Sequence, residues 1–133
     1  MTGADIIGAL LVADETVTTM VPAERIKAGL LPPNILLPSL LVRLVSSLER
    51  QTLVRGASVR MVDRISVTVR ASTYRDQVEM IRLVRAACAG WLGDMAPASK
   101  ISVLSAGVGP DVPGPGNSFE QTIDFRVSFN VPA

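Results

Sequence analysis

The last fifteen residues, FEQTIDFRVSFNVPA, alternate along almost their whole length. Phe119, Gln121, Ile123, Phe125, Val127, Phe129 and Val131 share one parity, and Glu120, Thr122, Asp124, Arg126, Ser128 and Asn130 share the other. Successive side chains of a strand point to opposite faces, so the pattern predicts one long strand with a dry face and a wet face. All three Phe residues of the chain lie on the dry face. Burying such rings contributes roughly 2–3 kcal/mol each. The strand therefore needs a second layer over it, which restricts the chain to a layered fold.

The rest of the chain supplies that layer. Thr2 and Asp5 have the spacing of a capping box, and Ile6, Ile7, Leu10 and Leu11 follow as one apolar stripe, so a short helix is expected up to Ala13 or Asp14. Pro32, Pro33 and Pro38 then interrupt regular structure. SLLVRLVSS (Ser39 to Ser47) reads as a strand covered on both faces for part of its length. Val59 to Ala71 reads as a second strand, with Ile65, Val67, Val69 and Ala71 alternating against Arg64, Ser66, Thr68 and Arg70. A helix follows from Thr73, with Met80, Ile81, Val84, Ala87, Cys88, Trp91 and Leu92 on one face and Gly93 as its stop. KISVLSAGVG is a third strand, and PDVPGPGNS is a loop by composition. The expected order is α-β-β-α-β-β. This is one α+β domain over residues 1–133, with a four-stranded antiparallel or mixed sheet in two hairpins and two helices on one face. Trp91 is expected to meet the Phe face.

Reactive groups are scarce. The chain has no His and one Cys, which removes the commonest general base and the usual thiolate zinc sites. Neither G-x-x-x-x-G-K-[ST] nor G-x-G-x-x-G occurs, and GPDVPGPG opens no helix that could hold a phosphate. Cys88 falls on the apolar helix face and reads as core. No catalytic residue, cofactor or metal is expected. The net charge is +1, and no secretory leader or membrane partner is expected. One local excess stands out. Arg43, Arg50, Arg55, Arg60, Arg64 and Arg70 crowd the first hairpin against only Glu49 and Asp63. Two readings stay open: a solvated face, or a surface that meets acidic protein or passing DNA. No aromatic lies among these arginines, which disfavours a platform for stacking bases.

Element order and spacing resemble the tail-completion, or tail-terminator, proteins of long-tailed phages and gene transfer agents. The resemblance runs through DIIGALLVAD, then VTTMVPAERIKAGLLPP with its Arg25-Ile26 pair, LPSLLVRLVSS, ISVTVRASTYRDQVEMIRLVRAACAGW and TIDFRVSFNV. The loop GVGPDVPGPGNS has no counterpart in it. The resemblance implies a structural virion protein without enzymatic activity, located at the head–tail junction. Such a protein forms a homo-oligomeric ring, typically a hexamer, on the head-proximal end of the tail tube. The ring stops tube growth and offers a docking surface to the head connector, and DNA passes through it without sequence-specific contact. A head-completion or stopper protein, and a binding module unrelated to phage or an enzyme without His, are the alternatives. On this reading Arg50, Leu53, Val54, Arg55, Arg60, Arg126 and Asn130 are the expected interface residues. Leu36 and Leu37 are expected to be partly buried between subunits. The closing strand is expected to offer its wet face and a free edge to a neighbour.

Overall fold

Thr2 opens the first helix with both halves of a capping box. Its hydroxyl accepts from the Asp5 amide, and its own amide donates to Asp5 Oδ2 at 2.8 Å. The computed structural model describes residues 1–133. Helix α1 (Gly3–Ala13) buries Ile6, Ile7, Leu10 and Leu11 against the sheet, and α2 (Glu15–Met20) follows at once, capped by Asp14. A 3-10 turn at Ala23–Arg25 leads into a short strand, β1 (Ile26–Ala28). The long hairpin is β2 (Ser39–Arg50) and β3 (Ser58–Ala71), and α3 (Tyr74–Cys88) lies between it and the remaining strands. Those are β4 (Leu92–Met95), β5 (Ala98–Val108), β6 (Val112–Pro113) and β7 (Phe119–Pro132).

The sheet runs in the order β1-β2-β3-β7-β5-β4, with β6 pairing separately to β7. It is mixed, because β1 runs parallel to β2 while the other pairs are antiparallel. Four elements were not expected: α2, β1, β4 and β6. The residues after α1 form α2 and β1 rather than an irregular stretch, and β4 forms where the main helix was expected to continue. The sheet thus has seven strands instead of four, and three α-helices instead of two. The Pro/Gly loop holds a two-residue ladder after all, Val112–Pro113 against Phe119–Glu120.

Helix α3 ends at Cys88, not at Gly93. Gly90 takes φ +83, a left-handed conformation that suits glycine at a helix end. Trp91 still packs against the core, but Leu92 enters β4 and is exposed. The dry face of β7 is correct for Ile123, Phe125, Val127 and Phe129. Phe119 is the exception. It is 37 % exposed and meets the Tyr74 ring edge-on at 6.0 Å. β7 also has no free edge along most of its length, because β3 flanks one side and β5 and β6 the other.

One polar tether fixes the first helix to the sheet. Asp63 is buried in β3, where its Oδ2 accepts from the Gly3 amide at 2.9 Å and its Oδ1 from the Ser47 hydroxyl. A carboxylate at a helix N-terminus satisfies an amide with no intrahelical partner and complements the helix dipole. The approach leaves no room for a side chain at residue 3, where an added Cβ would lie 2.8 Å from Asp63 Cβ. At Gly8, in the middle of the same helix, an added Cβ meets nothing within 4 Å.

These two glycines give opposite expectations. Gly3→Ala should destabilise by about 1–3 kcal/mol through overpacking. Gly8→Ala should stabilise by about 0.5–1 kcal/mol through helix propensity. Denaturant unfolding of both variants checks this, and shifts of the same sign would refute the tether. Phe125→Ala, which empties the fully buried centre of β7, should cost about 3–5 kcal/mol.

Candidate interaction surface

Helices cover one face of the sheet and leave the other without a helix, although Leu41, Ser66 and Thr68 on that open face are buried. Strand alternation and register place Arg43, Arg50, Arg60, Arg64, Arg70 and Arg126 on the open face. Only two carboxylates stand among them, and both are already paired. Arg64 holds Asp124 at 2.8 Å, and Arg70 holds Glu120. Arg60 donates to the Lys100 carbonyl at 2.7 Å and to Asn130 Oδ1 at 3.2 Å. Arg43, Arg50 and Arg126 form no ion pair. Two rungs set arginines directly opposite one another, Arg50 against Arg60 and Arg64 against Arg126. Like charges in that position destabilise a sheet. Arg60 and Arg64 have partners within the chain, so it is Arg50 and Arg126 that folding does not account for.

The register brings together four of the expected interface residues. Arg50, Arg60 and Asn130 share one rung, and Arg126 lies on the same face. Leu53, Val54 and Arg55 sit apart, at the tip of the hairpin loop, where all three are exposed. Leu36 is exposed and Leu37 half-buried in the proline-rich connection.

A second feature was missed by sequence reasoning. β1 covers the edge of β2 only at Leu40–Val42, so from Arg43 onward that edge has no strand beside it. Leu44, Val45 and Leu48 are 50 %, 55 % and 59 % exposed there. With Leu53 and Val54, five exposed apolar residues fall within eleven positions. The opposite edge resembles it. β4, with Gly90 and Trp91 before it, covers β5 only up to Val103, and Leu92, Leu104 and Val108 are exposed along that border. SLLVRLVSS looks like a strand covered on both faces because its second half is equally apolar. That half is in fact exposed. The apolar content is the available signal, but it does not say which part of the strand is covered: Ser39–Val42 are buried and the rest is exposed.

A third cluster ties the Pro/Gly loop to α3. Buried Gln77 donates through Nε2 to Asp111 Oδ1 at 2.8 Å and to Gln121 Oε1 at 3.1 Å. Tyr74 donates its hydroxyl to Asp111 Oδ2 at 2.8 Å, and Gln121 donates to the Gly109 carbonyl at 2.9 Å. Accepting that bond, and its charge, Asp111 raises the Tyr74 pKa. A shallow hollow of about 450 Å³ lies beside the cluster, between Tyr74, Asp111 and the loop. Both Asp111 oxygens are engaged in holding the loop. Elsewhere, no three His, Cys, Asp or Glu side chains come close enough to share a metal ion. No helix is long and apolar enough to cross a membrane.

No protein-family model matches the sequence, and no curated protein matches it either. The fold does have a counterpart among solved structures. A chain of the virion of a native gene transfer agent particle superposes with a TM-score of 0.69, over 93 % of this chain and 91 % of that one, at 12 % identity. At that identity the likeness is one of fold.

The surface and the core make separable predictions. Arg126→Glu removes a like-charge rung, so the unfolding free energy should stay within about 1 kcal/mol of wild type or rise. A clear loss of stability would show that Arg126 serves the fold. Burial, with a smaller contribution from Asp14, pushes the Cys88 thiol up to about 12. Cys88 should therefore resist a thiol reagent at pH 8 in native protein and react at once in denaturant. Fast native labelling would contradict its place in the core.

Proposed function

We propose that this chain is a structural virion protein of a phage or gene transfer agent, and that it closes the head-proximal end of a tail tube as a ring. The observation that carries the virion role is the shared fold with a gene transfer agent virion chain over nearly the full length of both. The tail-end position rests on the resemblance in element order and spacing to tail-terminator proteins. The surface suits such work. A protein that acts by shape needs exposed contact surface, and this one has two uncovered sheet edges and an arginine-rich open face. On this reading its partners are further copies of itself within the ring, the tail tube protein on one side and the head connector on the other. Arg50, Arg60, Arg126 and Asn130 then belong to a face that meets a neighbour or lines the passage for DNA, while Leu53, Val54 and Arg55 present a loop for docking.

Electron microscopy of purified protein mixed with tail tubes tests the reading. Rings are expected on one end of each tube, and tubes so capped should not elongate when tube protein is added. Binding to head connectors with bare tube ends would favour a head-completion role instead. Arg126→Glu, folded as above, should cap fewer tubes. Normal capping by this variant would remove the arginine face from the interface.

A further inference from the structure

We infer that the two uncovered edges pair with each other between copies of this chain, so that the β2 edge of one subunit continues the sheet at the β4–β5 edge of the next. This deepens the ring reading by naming the surfaces that would build it.

Three observations lead to a second copy as the occupant. The first is strand direction. In the order β2-β3-β7-β5-β4 each neighbour is antiparallel, so β2 and β5 run in opposite senses. A rotation about an axis along the strands preserves those senses. It would set the outer half of one β2 antiparallel to the uncovered part of the next β5. The second is level. One continuous rung runs Leu48, Val62, Ser128, Ser102, Leu92, from one edge of the sheet to the other. It begins and ends in an exposed leucine. The neighbouring rung Ser46, Arg64, Arg126, Leu104 ends in another. Past the bulge at Val45 the neighbour of β2 changes from β5 to the outlying β4, which runs parallel to it, and the same rotation brings Leu48 of one copy beside Leu92 of the next. The third is charge. Arg50, at the β2 edge, forms no ion pair, and Asp94, at the β4 edge, is exposed and forms none either. One Asp94 oxygen accepts from the Lys100 amide, and the other has no bond within the chain.

The two edges differ, so the contact is head-to-tail. Such a contact closes into a ring when its rotation divides a full turn. Unpaired strand amides and carbonyls supply the hydrogen bonds, and the exposed leucines supply the apolar contact. A bulge at Val45, between Leu44 and Ser46, bends the β2 edge and limits how many residues pair.

Cysteine cross-linking tests the pairing. Leu48→Cys and Leu92→Cys are prepared separately and mixed in equal amounts, alone and with tail tubes, then treated with a short bismaleimide. Native Cys88 is buried and should stay unmodified. Peptide mass spectrometry should find 48–92 links at least about tenfold above 48–48 and 92–92 links. Leu48→Lys, at an exposed position, should leave the melt unchanged and lower the linked product by about tenfold when combined with its partner Leu92→Cys and a reporter cysteine at residue 46. A majority of 48–48 links would mean a two-fold contact and overturn the proposal, as would the absence of 48–92 links. Rings that cap tubes without 48–92 links would refute the edge pairing and leave the ring reading intact. Links of the expected kind in a protein that caps no tube would do the reverse.

Discussion

The pairing of β3 with β7 is the constraint on which the other elements depend. It runs without a register shift from Ser58 opposite Pro132 to Ala71 opposite Phe119. Ile65, Val67 and Val69 on one strand lie beside Phe125, Ile123 and Gln121 on the other, and the first two of those rungs form the floor of the core. α1 and α3 have a surface to bury against only when both strands are in place. β2 and β5 then extend the sheet outward from this pair. The partners are about half the chain apart, so the central contact is non-local and its loop-closure cost comes before most of the packing gain. The aromatic side chains of β7 offset that cost where it is greatest.

This explains why so apolar a strand stands at the end of the sequence. It is central in space although terminal in the chain. A residue deep in β7 is covered by helices on one side and flanked by strands on both edges. Phe119 lies at the start of β7, at the margin of the helix layer, where only Tyr74 at the first turn of α3 meets its ring. The same geometry moves the available edges elsewhere. β2 and the β4–β5 border carry the unpaired backbone groups, and exposed leucines accompany both.

Charge follows the layers. The open face holds six arginines and two carboxylates, although the whole chain is nearly neutral. The acidic residues lie mostly on the helical side and in the loops. Within the monomer Arg60 and Arg64 find partners, but Arg50 and Arg126, set opposite them, find none. Their presence is consistent with a surface shaped by what it touches. The Gln77–Asp111–Tyr74 cluster has a different character. It joins three distant segments through hydrogen bonds, two of them half-buried and the Tyr74 one exposed, and fixes the Pro/Gly loop beside α3.

Local chemistry in the sequence determined the α1 capping box, the stripe of Ile6, Ile7, Leu10 and Leu11, both strands of the long hairpin, the body of α3 and the dry face of β7. Each rests on neighbours within a few residues, where periodicity and capping act directly. The sequence also placed Arg126 and Asn130 on the wet face, because alternation alone sets that. Tertiary structure decided what local patterns could not: which apolar strand segments are covered and which are left exposed. Leu44, Val45 and Leu48 are as apolar as Leu40 and Val42, but β1 reaches only the latter pair. It likewise decided that Leu92 leaves the helix for an edge strand, since Gly90 turns the chain and β5 provides the ladder. The rung from Leu48 to Leu92 exists only once five strands are in register, because each of its members is set by a different stretch of chain.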